Sequence, residues 1–411
     1  MTAATSASSP RSYNLFDPGM FENPFRTYNE MREADPVYWC EPLQGWMLSR
    51  YADCVTALRD GARFSAARMA HLVAAQAPDV KPDDMPFSFR LNTMGIIFQD
   101  GGAHVRLRSH ANRAFTPRAL EAYQALVRDT VDQLVAEALA KGSMDYQKDF
   151  AEPLPAIVIA RIFGVPVQDR HRFKQWTEDL TLFFSQGVSD RAGAQRAEAG
   201  ARDFGMYLQE LIDRRRREPG EDMLTYLIEG ESEGRITAEE LVVQAVMLIA
   251  AGHLTTLDML GTSMLALLQH PAELRRVQES PELLSNAIDE LMRFQSPVQI
   301  MHRLLVDDVE MGGQRMRKGQ LVYINFAAAN RDPRVFSEPD RLDVGRSNAK
   351  QHLAFGGGAH YCVGSNLSRM EAERAFGEVF QRMPGLRVAA EPVWRRHGLV
   401  YRGLASLPVT W

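Results

Sequence analysis

The longest apolar run of the chain extends from Leu241 to Leu268 and predicts one long helix. Ahead of it, Thr237-Ala238-Glu239-Glu240 has the capping-box pattern, a Thr followed three residues later by Glu. The run stops at His270-Pro271, where the residue before proline is pushed out of the helical region. At ~1.5 Å per residue, about 30 residues make a rod on the order of 45 Å, longer than an ordinary globular helix. Being apolar on most sides, it belongs either in the middle of the protein or in lipid. Gln244, His253, Asp258 and Gln269 within it, and the lack of a second such run, favour a buried helix. No membrane association is expected.

A second pattern, Leu367, Met370, Ala375, Phe376, Val379 and Phe380, predicts a helix over Gly364 to Arg382. Phe183-Phe184 followed by Ser185-Gln186-Gly187 has the form of a helix end leading into a lid, and Lys81-Pro82-Asp83-Asp84 predicts an exposed loop. Residues 1–12 are expected to be a disordered tail. Met1 to Ser9 is rich in Ala, Ser and Thr and lacks the basic start and apolar run of a signal peptide. No linker, composition break or repeat divides the rest, so 13–411 is expected to form one domain.

A net charge of −5 gives no basic footprint for nucleic acid. Three cysteines, Cys40, Cys54 and Cys362, are too few and too scattered for a disulfide framework or a zinc site, and a reducing cytoplasmic setting fits them. No phosphate- or dinucleotide-binding glycine motif is present, so electrons for any redox chemistry are expected from a separate protein.

The stretch that carries chemistry is Phe355-Gly356-Gly357-Gly358-Ala359-His360-Tyr361-Cys362-Val363-Gly364. Its glycines let the main chain turn and lie close against a flat ligand. Cys362 falls just ahead of a predicted helix N-terminus, whose dipole and free N–H groups favour a thiolate. A thiolate is the haem ligand that pushes electron density onto iron and assists O–O cleavage. The bland alternative, a glycine-rich turn with an inert cysteine, accounts poorly for His360 two residues before Cys362 and Gly364 two after.

This stretch resembles the haem-binding signature of the cytochrome P-450 family, Phe-Gly-x-Gly-x-His-x-Cys-x-Gly, at every fixed position. The resemblance extends from about Asn23 to Pro408. It implies a mainly α fold with a smaller β-rich lobe and haem b held between the long central helix and the cysteine-bearing loop. Cys362 would be the axial iron ligand, with Phe355, Gly356, His360 and Gly364 around the cofactor. His104 and Arg108, at i and i+4 on one helix face, and Arg303 resemble the family's haem-propionate ligands. Glu290 and Arg293 resemble its structural Glu-x-x-Arg pair.

Ala251-Gly252-His253-Leu254-Thr255-Thr256 resembles the family's oxygen-activating segment. Gly252 would remove bulk where a ligand approaches. Thr255 would hydrogen-bond dioxygen or a water beside it, unless its hydroxyl merely bonds back one turn along the helix. The family usually places an acid before the first Thr, and here that residue is Leu254, which has no proton to give. Proton supply by water or Thr255, supply by the substrate, use of a peroxide, and a reaction without oxygen insertion all remain open. His253 is expected to be structural.

The family's variable segments place Phe87, Met94, Ile96, Phe183, Val298 and Ile300 in an apolar substrate pocket. The expected activity is hydroxylation or epoxidation of a mid-sized, mainly apolar small molecule in secondary metabolism, free or tethered to a carrier protein. A ferredoxin and ferredoxin reductase would supply electrons to a monomeric enzyme. Oxidative coupling, cyclisation or desaturation is the alternative, and a non-catalytic haem protein is a third reading. Arg106, Arg113, Arg275, Arg276, Arg346 and Lys350 either form a basic docking face for an acidic ferredoxin or are ordinary solvated charges.

Overall fold

The apolar run is a 32-residue helix, Ala238–Gln269, here the central helix. The computed structural model describes residues 11–76, 79–185, 191–396 and 398–411. The capping box forms in both directions: Thr237 Oγ1 accepts from the Glu240 amide at 3.1 Å, and Glu240 accepts from the Thr237 amide at 2.9 Å. The helix ends at His270 because Pro271 opens the next helix, Pro271–Glu279. Length and apolarity would let it cross a membrane, but 67% of its most apolar window is buried by the protein's own packing. Helices Pro153–Ile162 and Leu284–Gln295 cover it from two directions, while Ser365–Arg382, the cysteine helix, packs on Leu284–Gln295 and on Pro117–Lys141.

The β-rich lobe is built on a five-stranded sheet in the order Val37–Cys40, Gly45–Leu48, Leu321–Asn325, Ile300–Leu305, Phe64–Ser65. Leu321–Asn325 is buried along its whole length, which is why it reads as a continuous apolar run. It pairs parallel with Gly45–Leu48 and antiparallel with Ile300–Leu305, setting Arg303 opposite Val322. A three-stranded sheet joins Ser143–Asp145, Pro408–Thr410 and Arg387–Val388. One large apolar cluster runs from Leu15 to Val409, and a smaller one lies against the five-stranded sheet. Of the expected tail, residues 1–10 lie outside the described residues and Arg11 sits 3.8 Å from Asp35.

Candidate active site

The cysteine loop is shaped by its backbone. Gly356 and Gly358 adopt φ of +72° and +63°, conformations in which a side chain is strained. A Cβ at Gly358 would also collide with the carbonyl of Leu58. The turn closes where the Cys362 amide donates to the Phe355 carbonyl at 2.9 Å. Beneath it, Arg369 of the cysteine helix lies 4.5 Å over the Phe355 ring and donates to Asp289, which also meets His352 Nε2 at 3.2 Å. The Ala354 amide donates to His352 Nδ1, so that imidazole is neutral and burial holds its pKa down.

The cysteine helix begins at Ser365, three residues after Cys362. Burial pushes the Cys362 thiol above its ordinary pKa, while the Gly364 and Ser365 amides and the Arg108 and Arg369 guanidiniums pull it down. The helix-end amides thus favour the thiolate, as expected, against the opposing cost of burial, and a coordinating metal cation would add to them. At Gly364, φ is an ordinary −86° and a Cβ would meet no protein atom within 4 Å, so the protein itself does not require glycine there.

Around this loop gather hydrogen-bond donors, two of them guanidiniums with no carboxylate in ion-pair distance among the described residues. The His104 and His360 rings lie 4.1 Å apart between centroids at a tilt of 39°, and His104 Nε2 is buried without a partner among the described residues. Burial, then the charges of His360 and Arg108, hold the His104 pKa down to about 4. Arg303 is 4% exposed and donates to the His302 carbonyl at 3.0 Å. Burial lowers its pKa to about 10, leaving it charged at neutral pH. Arg108 is half-buried and donates to Asn112 Oδ1 at 3.0 Å. Among the described residues none of His104, Arg108 or Arg303 has a carboxylate within ion-pair distance, and Asp100 is the acid of this neighbourhood. Asp100 is already committed to the Ser65 hydroxyl and the Ala66 and Ala67 amides, 3.9 Å from His360. Buried, unpaired guanidiniums are costly unless an anion meets them.

On the central helix, Ala251 is exposed and Gly252 and Thr255 are half-exposed, although the residues around them are buried. Thr255 Oγ1 donates to the Ala251 carbonyl at 2.9 Å, and Thr256 meets Ser368 of the cysteine helix at 3.4 Å. Leu254 is 4% exposed and brings no polar atom to this face.

The family model for cytochrome P-450 matches residues 65–384. The chain belongs to the cytochrome P-450 family. It is 36% identical over 416 residues to the biotin biosynthesis cytochrome P-450 of Bacillus subtilis (strain 168), covering 100% of both chains. It is 34% identical over 401 residues to the 6-deoxyerythronolide B hydroxylase of Saccharopolyspora erythraea, covering 94% of this chain and 95% of that one. The crystal structure of P450BioI in complex with hexadec-9Z-enoic acid ligated acyl carrier protein superposes with a TM-score of 0.88 at 36% identity, covering 95% of this chain and 99% of that chain. The fold is the P-450 fold, mainly helical with a smaller β lobe. The protein is a P-450 oxidoreductase of the monooxygenase type, and its cofactor is haem b. The residues present fit that cofactor: its propionates would answer the Arg108 and Arg303 guanidiniums and the unpartnered His104 Nε2, and the open space beside Gly364 would admit its ring.

Packing and ion pairs place several of the other expected residues. Gly252 is half-exposed, and a Cβ there would first meet the tip of the Ile159 side chain at 3.0 Å, so helix Pro153–Ile162 lies close to this glycine. Glu290 and Arg293 are both 0% exposed and paired at 2.7 Å, and Arg346 binds the same carboxylate at 3.0 Å. Arg346 is therefore a core residue, not part of a docking face. Arg276 pairs with Glu273 and Asp343, and Arg106 with Glu240, which removes both from a free basic surface. Of the pocket set, Phe87, Met94 and Val298 are half-buried, and Ile96 is buried beside Gln244. Ile300, at 1% exposure, is buried in the large apolar cluster against which Phe87 and Met94 also pack. Phe183 lies outside the residues whose side chains are described.

Two site residues escaped the sequence reading. Asp100 is the acid among the cations. Arg68, 1% exposed, donates to His302 Nδ1 at 2.5 Å and to the Ala66 and Ile97 carbonyls. Its one sequence signal is an isolated cation in the apolar run Phe64 to Leu72.

Proposed function

We propose that this P-450 hydroxylates or epoxidises a mid-sized, mainly apolar molecule of secondary metabolism, with Cys362 as the axial thiolate. The observation that carries the reading is the cysteine loop with unpaired His104, Arg108 and Arg303 gathered beside it. Haem held through a thiolate supplies dioxygen activation and an electron path. Arg303, Arg108 and His104 would hold the propionates, and Gly364 would leave room beside the Cys362 sulfur. Thr255 gives its hydroxyl proton to Ala251, so its oxygen lone pairs remain to accept a bond from a water or a protonated group on the reacting face.

Proton supply does not run through position 254. Leu254 cannot hold or pass a proton, and Asp258, the acid one turn further along, is buried against Arg395. Water at the exposed Ala251–Thr255 face carries that role. Phe87, Met94 and Val298 offer apolar walls, and a ferredoxin with its reductase supplies electrons in the cytoplasm. The P450BioI–acyl carrier protein complex and the biotin biosynthesis relative support a substrate delivered on a carrier protein.

Leu254 favours one second reading, oxidative coupling, cyclisation or desaturation. Turnover under labelled dioxygen separates the two. Label in the product supports insertion; unlabelled oxidised product, with the label released as water, replaces that reading by the second.

A further inference from the structure

We propose that Glu198 and Gln244 are positioning residues that clamp the pocket helix Pro86–Met94 over the reacting face, and that the buried polar atoms of Ser88 and Asn92 oppose the clamp. This rests on that helix lining the substrate pocket. Its first turn has no side-chain cap of its own, because Met85 stands at the N-cap and Pro86 follows. The cap comes instead from a distant helix, Arg191–Arg217: Glu198 Oε1 accepts from the Phe87 amide at 3.0 Å and Oε2 from the Ser88 amide at 2.9 Å. A carboxylate there also answers the positive end of the helix dipole.

The other end is held by the central helix. Gln244 Nε2 donates to the Met94 carbonyl at 3.0 Å, and Gln244 Oε1 accepts from the Ile96 amide at 3.1 Å. Gln244 lies seven residues before Ala251, on the same helix face and ~10 Å along the axis. The two anchors thus fix Phe87 and Met94 at opposite ends of a span that begins two turns from the oxygen segment. The exposed Arg90–Glu239 pair, 2.6 Å apart, adds little.

The packing beneath the helix works against the clamp. Ser88 and Asn92, one turn apart on one face, are 0% and 2% exposed, and Ser88 Oγ and Asn92 Oδ1 have no hydrogen-bond partner among the described residues. Undocking the helix would let water satisfy both atoms, so the two polar anchors, together with the burial of Leu91, hold the docked state against this cost. Weakening Glu198 should favour the undocked helix, and removing the Ser88 hydroxyl should favour the docked one.

The test is stopped-flow binding and release of 4-phenylimidazole on the holoenzyme, followed by the Soret shift. Glu198→Gln keeps the shape but loses the charge and one amide bond. Entry and release rates should both rise roughly fivefold to tenfold, with affinity nearly unchanged. Ser88→Ala should slow both rates by a similar factor. Rates unchanged in both variants, or shifted in the same direction, overturn the proposal. A lower melting temperature for Glu198→Gln with unchanged rates also overturns it, because it reduces Glu198 to a purely stabilising cap. The probe ligates iron whatever the natural substrate is, so failure here is distinct from failure of the proposed oxidation.

Discussion

Arg303→Met should loosen the haem without touching the iron ligand. Arg303 is 4% exposed, and its pKa of about 10 leaves it charged at neutral pH. Its nearest protein acceptor is the neutral carbonyl of His302, while Asp100 is saturated by Ser65, Ala66 and Ala67. A propionate meeting this guanidinium makes a charge-assisted hydrogen bond worth about 1.5–3 kcal/mol. The bond to His302 is lost with and without haem, so it cancels from the affinity. Methionine fills the space, leaving the propionate term. That converts to haem loss faster by about 10–150-fold, read as transfer to excess apomyoglobin. Arg303→Lys should recover part of the loss as a point charge without the planar fork. Arg106→Met is the control, because Arg106 is committed to Glu240 at the surface. Haem loss within about twofold of wild type for Arg303→Met would refute the reasoning.

Two other outcomes follow from buried charge. Glu290→Gln leaves Arg293 and Arg346 without their carboxylate, a change worth about 3–5 kcal/mol. With about 2.1 cal/mol/K per residue over 411 residues, that is a melting-point loss of about 3–6 °C, and a loss under about 1 °C in thermal unfolding of the holoenzyme contradicts it. Burial holds the His253 pKa down to about 4, against 6.5 for an ordinary histidine. As pH falls from 6.5 to 4, the unfolded chain takes a proton that the native state refuses, so stability declines with falling pH across that window. His253→Leu should flatten this slope by about 1.4 kcal/mol per pH unit in urea unfolding, and an unaltered slope rules out His253 as its source.

The central helix was legible almost to the residue, because a capping box, a long apolar run and a proline are local signals. The cysteine loop was legible too, since glycines at φ of +72° and +63° have a backbone cause that shows in sequence. Arg346 was not: a surface arginine and one buried on Glu290, 56 residues away, look alike in sequence. Arg68 likewise acquires its role from His302, 234 positions later. Gly252 was legible as a required glycine, but its close approach to Ile159 was not, because that atom belongs to another helix. Ile300 matched a variable segment, but its burial in the large apolar cluster depends on a sheet register with Asn325 that is not a local signal. What stayed hidden was long-range pairing, which decides whether a charge or a small residue serves packing or chemistry.

The central claim, that Cys362 ligates the iron as a thiolate, is tested most directly by the ferrous–carbon monoxide spectrum of wild type and Cys362→His. The account predicts the long-wavelength Soret band of thiolate-bound haem in wild type and its replacement in the variant by the shorter-wavelength band of histidine-ligated haem. Persistence of the long-wavelength band in Cys362→His would contradict it, assigning the iron to Cys40 or Cys54, both of which are buried and free.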